Sequence, residues 1–159
     1  MVILAGLLSE KDPASTVYPG LRGELLARSG RLYFQTGKLA EARRNASAGL
    51  ALLSGLAERT DAAAPQLVEA CKALLMVKPA GLRDLPRASR YCDRAVRLTA
   101  SKDSYPLEIL GAVRHEMGDR EGSIQAIQTA LDLVPHAKPG EPESKRRQAL
   151  LEASAQYRR

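Results

Sequence analysis

The amino-acid sequence predicts an all-α chain of about three helical pairs, closed by a final helix. Three observations carry this expectation. Apolar residues recur at spacings of three and four, as in Leu107, Leu110, Val113 and Met117, which is one face of a helix. Single glycines, Gly37 and Gly118, interrupt such runs where a tight turn would join one helix to the next. Three later runs align without gaps: Ala42, Ala46 and Gly49; Ala88, Cys92 and Ala95; Ser123, Ile127 and Ala130.

Taken in order, residues 2–9 read as a short helix stopped by Asp12-Pro13, the second member of a pair that begins outside the chain. Ala14 to Gly20, with Pro19 and Gly20, reads as a loop. The first complete pair follows, with Leu26, Ser29, Gly30 and Tyr33 on its first helix. Its second helix carries Ala42, Ala46 and Gly49, then Leu50, Leu53 and Leu56, and ends near Glu58.

The middle pair opens at Pro65, a residue suited to a helix start, and its apolar stripe is Leu67, Cys71, Leu74 and Leu75. Pro79 and Gly81 require that helix to stop near Val77. Its partner starts between Asp84 and Arg87, with Asp84 as the N-cap and Pro86 tolerable only in the first turn. The third pair is the best formed: Leu107 to Met117, the Gly118-Asp119 turn, then Ile124, Ile127, Ala130, Leu131 and Val134, stopped by Pro135. Lys138 to Pro142 reads as a rigid loop. Residues 143–157 read as a last helix, with Ala149, Leu150, Ala153 and Tyr157 on one side and Ser144 as a further candidate cap.

Leu26-x2-Ser29-Gly30-x2-Tyr33 and Leu107-x2-Leu110-Gly111-x2-Arg114, each followed by the small-residue runs above, resemble tetratricopeptide repeats (TPR). In the third pair, Leu107, Arg114 and Ile127 stand where the family pattern has Trp, Tyr and Phe. Ala42 and Ala88 lie 46 residues apart and Ala88 and Ser123 lie 35 apart, the latter close to the family period of about 34. The longer step is an insertion spent on a longer second helix and on the Lys78–Leu85 connection. The resemblance implies a single domain over 1–159, with repeats at about 23–56, 64–99 and 104–137 and a capping helix at 143–157. It implies a right-handed α-α superhelix, a solenoid whose first helices line a concave face that receives a peptide or protein segment. Carried onto this chain, the groove candidates are Glu24, Ala27, Arg28, Arg31 and Phe34, then Tyr105, Glu108, Ala112 and His115. The Lys and Asn clamp of chaperone-binding family members is absent from these positions. Arg28 and Arg31 can still pair with an acidic segment, although solvated surface arginines are the simpler reading.

Leu82-Arg83-Asp84, the helix ending Arg97-Leu98-Thr99 and the basic last helix are similar to C-terminal repeat regions of bacterial multidomain proteins. Some of these follow a eukaryotic-like serine/threonine kinase domain. This resemblance implies a second role, a structural or self-association module of a larger bacterial signalling protein.

Composition fits one soluble domain. The 159 residues are 45% hydrophobic and 26% charged, with 4% aromatics and no Trp. The core therefore has to be built from Leu, Ala, Val and Ile. Net charge is +6, but 24 basic residues are interleaved with 18 acidic ones. The one basic cluster, Lys145-Arg146-Arg147 with Arg158-Arg159, reads more simply as a solvated helix face with cations at its C-terminal end, which argues against nucleic acid as the partner. Cys71 and Cys92 have no metal or redox spacing and fall on apolar faces, so reduced, buried thiols and a cytoplasmic compartment are expected, with a disulfide between adjacent helices as the less favoured alternative. The run Val2–Leu8 is too short for a membrane span and follows no basic region, which disfavours a secretory signal or a membrane partner.

Catalytic chemistry is not expected. His115-Glu116 lacks the second His of a zinc-protease helix, no glycine-rich phosphate loop occurs, and Leu82-Arg83-Asp84-Leu85 lacks the His of a kinase catalytic loop. No cofactor, metal or catalytic residue is assigned. The expected function is a protein–protein interaction scaffold, with a homo-oligomer as the other class of partner.

Overall fold

The computed structural model describes residues 16–134 and 142–158. Among them are seven α-helices, one turn of 3-10 helix and no strand. The helices are α1 (Val17–Gln35), α2 (Leu39–Ala57), α3 (Ala64–Met76), α4 (Leu85–Leu98), α5 (Ser104–Glu116), α6 (Arg120–Leu133) and α7 (Pro142–Tyr157). The helix expected over residues 2–9, the terminator Pro135 and the loop residues 138–141 lie outside the described residues.

The paired reading is seen in the packing: α1 lies against α2, α3 against α4, α5 against α6, and α7 against α6. Gly23 faces Leu53 and Gly49 while Gly30 faces Ala42 and Ala46, so α1 and α2 run antiparallel. Gly37 and Gly118 hold φ of +76° and +81° at the two tight turns, a region open to glycine at little cost. Aspartates start three helices: the carboxylates of Asp84, Asp103 and Asp119 accept from the backbone N–H groups of Arg87, Tyr105 and Gly122.

Two boundaries differ from expectation. α1 begins at Val17, inside the expected loop. Pro19 sits in its first turn, where backbone N–H groups have no helical acceptor, so proline loses nothing there. At the other end, Pro142 opens α7, which leaves Ser144 inside the helix rather than capping it. The buried side of α7 consists of Leu150, Ser154 and Tyr157, with Ala153 partly buried and Ala149 exposed.

The cysteines require a correction. Cys71 and Cys92 are fully buried, as expected, but they form a disulfide, with Cα atoms 5.9 Å apart. The reason lies in the repeat register. In the first pair Gly30 meets Ala46, and in the third Gly111 meets Ile127; a Cβ on either glycine would lie 2.8–3.0 Å from its neighbour. Cys71 occupies the same crossing in the middle pair, opposite Cys92. Helix backbones that approach this closely bring two cysteines within bonding reach.

Most of the core is one cluster running from Leu53 through Leu67, Leu74 and Tyr91 to Leu110 and Val113. A second joins Leu107, Ile127 and Leu131 to Leu150 and Tyr157 of α7. Arginines close two of the second helices. Arg94 donates to the carbonyls of Ala57, Arg59 and Thr60 at the end of α2, at 2.8–3.0 Å. Arg147 donates to those of Leu131 and Val134 at the end of α6, both at 2.9 Å. The Arg59 and Leu131 carbonyls also accept from the backbone N–H groups of Ala62 and Val134, so the arginines reinforce helix ends that lie beyond the regular i to i−4 pattern.

Glu58 ties α2 to α4, accepting from Tyr91 Oη at 2.6 Å and Arg87 Nη2 at 3.1 Å. The Tyr91 hydroxyl first, and then Arg87, hold its carboxyl below the usual range, while burial and Glu58 together raise Tyr91. A carboxylate with a lowered folded pKa contributes stability above its unfolded pKa and loses it as pH falls through the folded value. Melting temperature is therefore expected to fall as pH drops below about 4.5, and Tyr91→Phe should shrink that slope. An unchanged slope in the variant would show that Glu58 contributes nothing to it.

Candidate functional site

α1, α3, α5 and α7 border a common cleft of about 510 Å³. Each contributes the last turn of its helix: Phe34 and Gln35 from α1, Leu75 and Met76 from α3, His115 and Glu116 from α5, Gln156 and Tyr157 from α7. The crossing residues explain why these side chains meet. Phe34, Leu75 and His115 each lie four positions after the crossing residue (Gly30, Cys71 and Gly111). Gln35, Met76 and Glu116 each lie five after it. Residues at these offsets project to one side of parallel helices.

The floor is apolar and includes Met76, which is 45% exposed. Arg31 Nη1 lies 3.7 Å from Met76 Sδ. Arg83, on the connection after α3, donates to Glu116 Oε2 at 2.9 Å, and its Nε is buried without a hydrogen-bond partner among the described residues. Lys78 completes the basic rim. The His115 and Tyr157 rings stack with centroids 4.2 Å apart. Burial, then the charges of Glu108 and Glu116, push the Tyr157 hydroxyl up, so it stays protonated at neutral pH.

The sequence-derived candidates divide between this cleft and its neighbourhood. Arg31, Phe34, Ala112 and His115 line it. Glu24, Ala27 and Arg28 border a smaller recess toward the helix starts, shared with Arg31 and Met76. There Glu24 pairs with Arg28 at 3.6 Å and Glu69 with Lys72 at 2.9 Å. Burial opposes the Lys72 charge, but hydrogen bonds to Glu69 and Tyr105 outweigh it and hold Lys72 above its usual pKa.

Tyr105 and Glu108 are engaged by α7. Arg146 lies 3.7 Å from Glu108 and 5.8 Å over the Tyr105 ring. With His115 against Tyr157, three of the four third-pair candidates thus face the closing helix, and Ala112 lines the cleft. No sequence-derived candidate falls on the middle pair, although Leu75 and Met76 form part of the floor. Aligning Cys71 with Gly30 and Gly111 is the signal that finds them. Gln156 and Tyr157 carry no such signal, because α7 stands outside the repeat register.

His115 is stacked on Tyr157 and Glu116 is tied to Arg83. Among the described residues, no group of three His, Cys, Asp or Glu side chains could hold a metal ion, and no helix is long and apolar enough to cross a membrane. What the arrangement offers is a recess that can receive an apolar side chain beside charged groups. No protein-family model matches the chain, and comparison with curated proteins finds no significant match.

Proposed function

We propose that the chain is a tetratricopeptide-like solenoid, a right-handed superhelix of helical pairs. In this reading it is a scaffold rather than an enzyme, and it binds a peptide or protein segment on its concave face. The observation that carries this is the cleft of about 510 Å³ shared by the last turns of four helices, with Met76 45% exposed on its floor. A methionine left in a recess offers a soft apolar surface that fits varied side chains.

The test is affinity capture from native lysate with the wild-type chain and with a Phe34→Glu, Met76→Glu variant that retains its helical circular dichroism. The expected result is a set of captured proteins lost with the variant, because two charges on the floor exclude an apolar anchor. Identical recovery by both chains would remove the cleft as the binding site.

A second reading, a self-association module of a larger bacterial signalling protein such as a kinase, is favoured by Leu32 and Leu39. They are 63% and 60% exposed on the first pair. In that case Leu32→Ser with Leu39→Ser would lower the sedimentation coefficient of the chain. The compartment expected from sequence is the cytoplasm, but the Cys71–Cys92 disulfide supports an oxidising one instead.

A further inference from the structure

The charge around the cleft narrows the class of segment that fits it, and this inference rests on the cleft being the binding site. Arg31, Lys78, Arg83 and Glu116 carry its formal charge. Glu116 is used by Arg83. Arg31 and Lys78 have no carboxylate within ion-pair distance among the described residues. Two unneutralised cations therefore stand beside an apolar floor.

The opposing effect is the helix dipole, since helix C-terminal ends meet here and disfavour anions. Local turns blunt it. The last carbonyls of α1 accept from the N–H groups of Thr36, Gly37 and Lys38, and those of α5 from Met117, Gly118 and Asp119. Partial charges tied up in this way and fading within one turn weigh less than two full cations on the rim.

We infer that the cleft takes a linear acidic segment with a bulky apolar anchor. The anchor side chain would rest on Phe34, Leu75 and Met76, with flanking Asp or Glu carboxylates on Arg31 and Lys78. Charge complementarity of this kind sets partner choice and association rate. A nucleic acid fits less well, because two cations around an apolar recess give no track for successive phosphates.

The test is selection of random twelve-residue peptides displayed on phage against the whole folded chain, followed by fluorescence anisotropy on the enriched peptides. Enrichment of a large aliphatic or aromatic residue flanked by at least two carboxylates is expected. Binding should weaken at least about tenfold in Arg31→Glu, Lys78→Glu and by a smaller factor in Arg31→Gln, Lys78→Gln, and should fall with salt. Enriched peptides without acidic residues, still lost in Met76→Glu, would overturn this inference and leave the cleft as the site. Displacement of the peptide by a single-stranded oligonucleotide would overturn it in favour of a nucleic acid. No enrichment, or binding indifferent to Met76→Glu and to the Arg31 and Lys78 variants, would overturn both.

Discussion

Gly49→Ala is expected to destabilise the chain by about 2–3 kcal/mol, whereas Gly55→Ala, further along the same helix, should stabilise it by about 0.5–1 kcal/mol. The chemistry is the same and the surroundings decide the sign. A Cβ on Gly49 would lie 2.6 Å from the Ala27 nitrogen and 2.7 Å from the Gly23 carbonyl oxygen. Both are backbone atoms of α1, so no side chain can rotate away and the two helices must part. Alanine's better helix propensity returns at most about 1 kcal/mol. Gly55 is exposed with nothing within 4 Å of the added carbon, so only the propensity gain remains. Urea unfolding midpoints of the two variants measure the contrast. Equal midpoints would mean that α1 and α2 do not cross as closely as described.

Removing the disulfide should have an effect of similar size. Cys71 and Cys92 are 21 residues apart, and a loop of that length, once closed, removes about 3 kcal/mol of chain entropy from the unfolded state. For a chain of this size the loss corresponds to a melting temperature lower by roughly 6–12 °C. Cys71→Ala with Cys92→Ala should show it. Dithiothreitol should reproduce it in the wild-type chain and leave the double variant unmoved. Alkylation in denaturant without reductant should add no mass. Two alkyl groups per chain, or a wild-type melting temperature insensitive to reductant, would return both residues to the thiol state.

Much of the helical order was legible because the signal is local. The periodic stripes and the glycines at Gly37 and Gly118 required no knowledge of neighbours, and the Asp84 cap was readable from its place before a proline-led helix. The misreadings arise where one residue serves two physical purposes. Pro19-Gly20 has the composition of a turn, yet a helix start accepts both residues. Cys71 has the burial of an ordinary core residue, yet it stands where the other pairs place glycine. Without that equivalence the middle pair had no register for its first helix, and Leu75 and Met76 were passed over as cleft residues. The hold of α7 on Tyr105, Glu108 and His115 depends on where a helix outside the repeats docks, which periodicity does not encode.

Arg94 and Arg147 bear on how the chain assembles as it is made. The carbonyls that end α2 wait for an arginine that follows Ala57 by 37 residues, and those that end α6 wait for one on α7. During synthesis each of these termini leaves the ribosome before the side chain that closes it, and water must serve in the interval. The helical pairs are therefore not interchangeable cassettes. Each of these two pairs is finished by its successor, so a nascent chain halted after α3 holds an α2 whose end is still open to solvent.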